Sequence, residues 1–323
     1  MNQTIARDNR VVHTLHGDTM GTRWRVCVVD DARLALRPLH DAVQATLDRV
    51  VSQMSTWEPD SDIRRYNRAE AGSWQALPQP FDHVLRCALE IASASGGAYD
   101  PTVGPLVDLW GFGADRNAPR IPDPGEIDTA RARIGWQRIA LRDAPSAVLQ
   151  PGGAALDLSA IAKGHGVDAV AACLRERGIA DALVEVGGEL LGYGHKPDGS
   201  PWRVLVESAL GADDARPCVL SLDGFAVATS GVHWHRFERD GRTYAHTLDP
   251  RSGAPVENAP AAVTVIADDA MRADGWATAL TVMGFDDGFA FARARGLAAR
   301  FVPAEEIADR IRMTPAFLDR LAP

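Results

Sequence analysis

Strand-like runs dominate the region from 183 to 266, and this series is the strongest constraint on the fold. The runs are ALVEVGG, WRVLVES, CVLSLDG, FAVATSG and AAVTVIA. Short apolar runs rich in β-branched residues and bounded by turn residues are typical of strands. Strands joined in succession by tight turns favour antiparallel pairing, and helical segments flank the series. We therefore predict an α+β fold and not a doubly wound parallel sheet.

Amphipathic helices are predicted on both sides of these strands. Residues 37–57 carry apolar side chains at helical spacing, namely Leu39, Val43, Leu47, Val50 and Met54. A second helix at 81–95 ends at the Gly96-Gly97 pair, a common helix stop, and helical spacing returns near 269–283. Residues 136–150 predict two short strands around a turn. No glycine pair forms GxGxxG after a strand, so a Rossmann dinucleotide site is not expected.

Charge and cysteine usage exclude several classes of protein. The chain has 43 acidic against 34 basic residues, a net charge of −9, without long charged runs. A nucleic-acid partner is therefore not expected, although a small anion could still bind in a basic pocket. The 4 cysteines lie far apart without CxxC, which is typical of reduced, mostly buried thiols.

Hydropathy predicts no transmembrane segment, because no stretch of about 18 apolar residues is present. The first residues also lack the apolar core of a signal peptide. As the sequence stands, we expect a soluble, cytoplasmic protein. A periplasmic or membrane-anchored location is the alternative if a signal segment has been removed.

The segment LDLSAIAKGHGVDAVA, residues 156–171, predicts a helix start with an unusual composition. Lys163 is followed directly by Gly164, and Gly166 lies two residues further on. Each glycine costs a helix interior about 1 kcal/mol relative to alanine. Either this is a frayed, solvent-facing turn, or the bare backbone lets the chain approach a ligand closely.

The segment DDAMRADGWATALTVMG predicts a helix with Asp274 and Thr278 on one face, within a stripe of small residues. An ionised carboxylate in a packing stripe costs several kcal/mol unless it is paired. Asp274 therefore either lies at the edge of the stripe, bonded to an arginine or a backbone amide, or belongs to a cation site. A carboxylate and a hydroxyl one turn apart suit Mg²⁺, with phosphate oxygens as further ligands. Lys163 could neutralise the same phosphate.

A hairpin is predicted in HWHRFERDGRTYAHTLDP, because Asp240-Gly241 is a strong two-residue turn signal. The turn pairs Phe237 with Tyr244 and His235 with His246. One interpretation is a partly buried aromatic face with hydrogen-bonded histidines. The other is that His246 accepts a proton or contacts a ligand.

Seven motifs, in order, resemble those of the ApbE family, the FAD:protein FMN transferases. They are DTMGTRW, MSTWEPDSDIRRYN, GGAYDPTVGPLVDLWGFG, LDLSAIAKGHGVD, VEVGGELLGYG, VATSGVHWHRFERDGRTYAHTLDPRSG and VTVIADDAMRADGWATALTVMG. The resemblance runs from about residue 17 to 285. It implies Mg²⁺-dependent transfer of FMN from FAD to a threonine, or sometimes a serine, of a client flavoprotein, with release of AMP.

The same resemblance implies the architecture and the domain organisation. The fold would be an ApbE-like, T-fold-related α+β unit with mixed, largely antiparallel sheets, packed helices and two lobes around a flavin cleft. A single domain at 17–323 would follow an N-terminal tail at 1–16.

Roles for individual residues also follow from the resemblance. FAD would be bound by Met20, Trp57, Ala98, Tyr99, Asp100, Asp157, Lys163 and Leu248. Mg²⁺ would be bound by the carbonyl of Ala160 and the side chains of Asp274 and Thr278. We assign catalytic roles to Lys163 and Asp274, which would act on the diphosphate charge, and to His246, as the base for the acceptor hydroxyl. Asp274 is the alternative base.

One motif departs from the family pattern, since VGGE places Glu189 where many relatives have the aspartate of IGGD. Glu189 is therefore not among the expected site residues. Two alternative functions stay open: an Mg²⁺-dependent diphosphatase that converts FAD to FMN and AMP, and a non-catalytic FAD-binding protein. The intact metal-site pair argues against simple storage, because storage needs no metal at the diphosphate.

Overall fold

The computed structural model describes residues 10–114, 118–206, 218–231, 236–239, 241–257, 259–304 and 310–321. Its strands are β1 (Arg10–Thr19), β2 (Thr22–Asp31), β3 (Trp74–Ala76), β4 (Leu141–Asp143), β5 (Ser146–Leu149), β6 (Ala182–Val186), β7 (Glu189–Tyr193), β8 (Trp202–Val206), β9 (Cys218–Leu222), β10 (Phe225–Gly231), β11 (Arg236–Arg239), β12 (Arg242–Ala245), β13 (Leu248–Asp249), β14 (Ala254–Pro255), β15 (Ala262–Ala267), β16 (Ala298–Val302) and β17 (Arg312–Met313). Its helices are α1 (Leu36–Met54), α2 (Asp62–Asn67), α3 (Gln79–Ala94), α4 (Gly104–Trp110), α5 (Pro124–Arg131), α6 (Ala162–Glu176), α7 (Ala270–Met283), α8 (Phe285–Ala294) and α9 (Pro315–Leu318), with a 3₁₀ turn at Trp136–Arg138.

An eight-stranded sheet forms the centre of the fold, in the order β1-β2-β6-β7-β10-β15-β16-β17. Every neighbouring pair in it is antiparallel. Smaller antiparallel sheets are β3-β5-β4, β8-β9, β11-β12 and β13-β14. The predicted α+β class with largely antiparallel sheets is therefore confirmed.

The helices form where apolar spacing predicts them. The five apolar positions expected for the first helix lie in α1 and are all buried. The glycines after α3, Gly96 and Gly97, adopt the left-handed conformation with φ of 62° and 81°. α6 and α7 pack against each other and against the central sheet. None of the helices in the described parts of the chain has both the length and the apolar character needed to cross a bilayer.

Two sequence-based predictions concern the N-terminal boundary of the domain and the register of the Asp-Gly hairpin. β1 begins at Arg10 and pairs with β2 along its whole length, so the boundary expected between a tail at 1–16 and the domain falls inside a strand. The predicted hairpin register is confirmed where it is described, since Phe237 pairs with Tyr244. Its next pair lies partly outside the described residues, because His235 is not among them.

The order of the central strands brings two hairpin turns together. β2 pairs with β6 so that Trp24 lies opposite Val186, which places the start of β2 beside the end of β6. The β1–β2 turn at 20–21 and the β6–β7 turn at 187–188 are therefore neighbours. The N–H of Gly187 donates to the carbonyl of Arg23 over 3.0 Å. Motifs separated by more than 160 residues in the chain thus meet at one end of the sheet.

Candidate functional site

The start of α6 meets the start of β7 through an ion pair between a partly exposed lysine and a buried glutamate. Nζ of Lys163 lies 2.5 Å from Oε1 of Glu189, a residue that is 2% exposed. Burial lowers the pKa of Lys163, but the charges of Asp274 and Glu189 outweigh burial and raise it, so the lysine is cationic. Burial raises the pKa of Glu189 against the opposing charge of Lys163. The pair places a fixed positive charge between two carboxylates.

The second carboxylate oxygen of Glu189 is not used in the ion pair. Oε2 of Glu189 is buried and has no hydrogen-bond partner in the part of the chain that the structure describes. A buried acceptor without a donor costs free energy that a bound molecule can recover. The arrangement therefore suits a ligand that brings a hydrogen-bond donor or a cation to this carboxylate.

Asp274 connects α7 to the first turn of α6. Its Oδ2 accepts a hydrogen bond from the backbone N–H of Gly164 over 3.1 Å, and the residue is 5% exposed. A backbone amide therefore bonds this carboxylate, as one of the two alternatives expected, and the amide belongs to the glycine beside Lys163. The residue is buried and does not lie at an exposed edge. Burial raises the pKa of Asp274, while Lys163 and the Gly164 N–H oppose the rise.

Close packing explains the first of the two glycines of α6. A Cβ on Gly164 would overlap the carbonyl oxygen of Ala270 and lie 2.8 Å from Cα of Met271. Protein backbone therefore fills the space beside Gly164, and this glycine does not open the chain to a ligand. A Cβ on Gly166 would meet only the flexible side-chain ends of Met20 and Leu47, at 3.2 and 3.3 Å, so for Gly166 close approach to a ligand stays a prediction.

The turn between β1 and β2 lies against the same site. A Cβ on Gly187 would lie 2.8 Å from Cγ2 of Thr22 and 3.3 Å from Cδ of Lys163. Met20 has φ of 49°, unusual for a residue with a side chain, and its side chain packs on two buried apolar clusters. Residues 18–23, at the tip of this hairpin, border an open, solvent-facing space of about 750 Å³.

The expected metal ligands lie on α7 and on the turn that precedes α6. Thr278 follows Asp274 by one helical turn and is half-buried. A Cβ on Gly275 would lie 3.4 Å from Cδ1 of Ile161, so the turn before α6 contacts α7 between the two expected ligands. Ala160 belongs to that turn. Within the described residues no three His, Cys, Asp or Glu side chains cluster as a metal site, so a metal here would depend on carbonyl and hydroxyl oxygens.

The expected flavin contacts fall into exposed and buried groups. Trp57 is 61% exposed, in the loop after α1, whereas Ala98, Tyr99 and Asp100 are buried. The hydroxyl of Tyr99 is buried without a hydrogen-bond partner in the described chain. Burial raises the pKa of Tyr99, and the nearby charges of Asp274 and Asp157 raise it further. The Tyr99 hydroxyl is thus a second buried polar atom near Asp274 that lacks a hydrogen-bond partner among the described residues.

Asp100 also has a structural function. Its Oδ1 accepts from the N–H and the hydroxyl of Thr102 at 2.8 and 2.7 Å, and its Oδ2 accepts from the N–H of Trp136 at 3.0 Å. These three donors hold the loop after α3 against the 3₁₀ turn. Asp157 likewise closes a local turn, since its Oδ1 accepts from the N–H of Ser159.

His246 and Leu248 follow the β11–β12 hairpin. His246 is half-buried. Leu248 is buried in an apolar cluster with Leu106 and Trp110 of α4. The role of His246 as the base and the role of Leu248 as a flavin contact stay predictions.

Sequence reasoning omitted one residue that the structure brings to this site. Glu189 contacts Lys163 directly, although the chain position of neither residue indicates the pairing. The available signal was the VGGE turn itself, which ends in a carboxylate. Glu189, which stands where many relatives have an aspartate, is therefore the ion-pair partner of Lys163, the lysine expected to bind phosphate.

Comparison with known proteins gives similarity over nearly the whole chain. The model of the ApbE family matches residues 20–301. The FAD:protein FMN transferase of Salmonella typhimurium is 37% identical over 307 residues, which cover 94% of this chain and 87% of that protein. The structure of the Pseudomonas stutzeri flavinyl transferase ApbE in its apo form has a TM-score of 0.88 at 38% identity and covers 96% of this chain and 97% of that one. The flavin transferase ApbE from Vibrio cholerae has a TM-score of 0.86 at 32% identity and covers 97% of this chain and 100% of that one.

Proposed function

The chain belongs to the ApbE family, and we propose that its complete reaction is Mg²⁺-dependent transfer of FMN from FAD to a threonine or serine hydroxyl of a client flavoprotein. It is a transferase that moves FMN from FAD. The metal, the acceptor side chain and the roles of individual residues are the proposed parts.

The observation that carries the proposal is the meeting of four distant motifs around Lys163. The lysine contacts Glu189, its neighbour Gly164 binds Asp274, and its side chain lies near Thr22 across Gly187. A cation that contacts one carboxyl group and is influenced by the charge of a second suits a substrate that carries both phosphate charge and hydroxyl donors. A dinucleotide with a diphosphate and a ribityl chain has this chemistry.

The residues present fit a hard divalent cation. Asp274 commits one oxygen to Gly164, which leaves Oδ1 for a cation, and the hydroxyl of Thr278 and the carbonyl of Ala160 are oxygen donors of the kind Mg²⁺ prefers. When bound, Mg²⁺ would offset the charge of the diphosphate and of the transition state. Lys163 would add a second positive charge to the same oxygens.

The bond changes follow from the substrates. The acceptor hydroxyl oxygen forms a bond to the phosphorus on the FMN side, the phosphoanhydride bond to the AMP side breaks, and AMP leaves. The hydroxyl proton must go to a base, because a neutral threonine is a poor nucleophile. We propose His246 for this step, with Asp274 as the alternative.

Mass measurement of a client protein tests the proposal. The chain is mixed with FAD, Mg²⁺ and a candidate client, and the client is expected to gain the mass of one FMN. The gain should disappear without Mg²⁺ or in the Asp274→Ala variant. If AMP is released while the client mass stays unchanged, the activity is FAD hydrolysis. If His246→Ala transfers FMN at the normal rate, the histidine is not the base.

A further inference from the structure

We propose that Asp168 is a positioning residue for the transfer reaction. Its carboxylate holds the start of α7 against α6, and so keeps Asp274 and Thr278 opposite the first turn of α6. This inference rests on the proposed function, since it concerns residues that would bind the metal and the diphosphate. Asp168 would act on them through the backbone of α7.

The carboxylate of Asp168 binds the end of a neighbouring helix. Its Oδ1 accepts from the N–H of Ala270 over 2.8 Å, and its Oδ2 accepts from the N–H of Met271 over 2.9 Å. The first N–H groups of a helix have no partner within the helix and carry the positive end of its dipole. A carboxylate that accepts from two of them therefore fixes both the position and the direction of the helix end.

Asp168 is partly buried, and these bonds offset the cost of removing its carboxylate from water. The pKa of Asp168 is raised to about 7, mainly by burial and to a smaller extent by the charge of Asp269. The hydrogen bonds from the two α7 amides and the charge of Arg175 act in the opposite direction. A carboxylate is disfavoured in this environment unless donors surround it. The two α7 amides are the donors that surround this one.

The two helices exchange bonds in opposite directions. Asp168 on α6 accepts from the start of α7, and Asp274 on α7 accepts from Gly164 on α6. Gly164 and Asp168 are one turn apart, as are Ala270 and Asp274, so one face of each helix carries both contacts. Loss of the Asp168 bonds would release one end of this pairing, and the Asp274 end would move with it.

Asp269 offers a matched control at the same helix end. It is the N-cap of α7, and its Oδ1 accepts from the N–H of Arg272 over 2.7 Å. Removing either aspartate deletes one carboxylate and weakens the start of the same helix. Of these two aspartates, Asp168 bonds across from α6 to α7, whereas Asp269 bonds within α7.

The test compares Asp168→Ala, Asp168→Asn and Asp269→Ala in the full chain. Mg²⁺ is titrated while FAD binding is followed by flavin fluorescence, and FMN transfer to a client is measured in parallel. For Asp168→Ala we expect the half-saturating Mg²⁺ concentration to rise about tenfold or more, as when an outer residue that orients a ligand is lost. The kcat at saturating Mg²⁺ should change much less.

The controls separate positioning from stability. Asp269→Ala should lower the melting temperature without a comparable change in the Mg²⁺ requirement. Asp168→Asn keeps one acceptor oxygen and should give an intermediate Mg²⁺ requirement, and it carries the comparison if Asp168→Ala does not fold. Equal Mg²⁺ requirements in the Asp168 and Asp269 variants would overturn the proposal.

Hydrogen exchange at the Gly164 amide gives a readout that does not depend on turnover. Exchange should be faster in Asp168→Asn than in the parent chain, and unchanged in Asp269→Ala. A parent chain that fails to transfer FMN would refute the proposed function, while the exchange data would still decide whether Asp168 positions α7. Unchanged exchange at Gly164 in the Asp168 variants would refute the positioning.

Discussion

Substituting alanine for each of the two glycines of α6 should change stability by very different amounts, although they lie two residues apart. In Gly164→Ala the new methyl group would overlap the Ala270 carbonyl and lie 2.8 Å from Cα of Met271. Carbon atoms in contact are normally about 3.5–4.0 Å apart, so α6 and α7 must separate by roughly 1 Å. In Gly166→Ala the methyl would meet only Cε of Met20 at 3.2 Å and Cδ2 of Leu47 at 3.3 Å, which are flexible side-chain ends.

The magnitudes follow from these contacts. Overpacking of this kind costs about 1–3 kcal/mol. The separation would also stretch the 3.1 Å bond from Gly164 to Asp274 beyond hydrogen-bond range, and a bond to a charged group contributes about 1.5–3 kcal/mol. Alanine recovers about 1 kcal/mol of helix propensity at either site. We therefore expect Gly164→Ala to lose about 3 kcal/mol of unfolding free energy, and Gly166→Ala to stay within about 1 kcal/mol of the parent.

Urea unfolding followed by circular dichroism measures both variants, and FAD binding by fluorescence reports on the site. Gly164→Ala should bind FAD more weakly, because the shift moves Asp274 away from the start of α6, whereas Gly166→Ala should bind normally. If Gly164→Ala is as stable as Gly166→Ala, the helices do not pack as tightly as the structure indicates. The interpretation of Gly164 as a packing residue would then be wrong.

Three further variants test separate contributions. Burial lowers the pKa of His165 to about 4, against about 6.5 in an unfolded chain. The folded protein therefore loses up to about 3 kcal/mol of stability as the pH falls from 6.5 toward 4, because protonation favours the unfolded chain. His165→Gln should flatten this part of the profile of unfolding free energy against pH, measured with urea, and parallel profiles would contradict it. Lys163→Met should lower the unfolding free energy by about 3 kcal/mol, because it leaves Glu189 unpaired. Adding Glu189→Gln should restore much of that loss in a double-mutant cycle. Additive losses would show that the pair is not coupled. Trp57 is 61% exposed, so Trp57→Ala should change the unfolding free energy by less than about 1 kcal/mol. The same variant should bind FAD more weakly in a fluorescence titration. Unchanged binding would remove Trp57 from the proposed flavin site.

Local periodicity was sufficient to predict most helices and strands. The apolar spacing of α1 and the Asp-Gly turn of the β11–β12 hairpin depend on neighbours in the chain, and both predictions hold. β1 was missed because its buried face is poor in apolar side chains. From residue 13 to 19 the odd-numbered positions face the core, but Leu15 is the one large apolar residue among them. Val11 and Val12, near the start of the strand, are both about 40% exposed. The strand therefore alternates in burial without alternating in hydrophobicity.

The site could be predicted only in part, since its contacts join distant segments. The family resemblance indicated Lys163 and Asp274, and the structure places Asp274 of α7 against the start of α6, where Lys163 lies. It did not indicate that Glu189 pairs with Lys163, because that contact depends on the order of strands in the sheet. It also gave the wrong reason for Gly164, whose neighbour is the first turn of a helix more than 100 residues further along the chain.

The pairing of β2 with β6 has a consequence for how the protein is made. β2 ends at Asp31 and β6 begins at Ala182, so the first hairpin emerges from the ribosome long before its neighbouring strand exists. At about 5–20 residues per second, the interval is roughly 8–30 s. During that time one edge of β2 has no partner and is open to pairing with other nascent chains. Slower synthesis of the helical segments between them would prolong this exposure, so codon choice within residues 32–181 should influence the yield of folded enzyme.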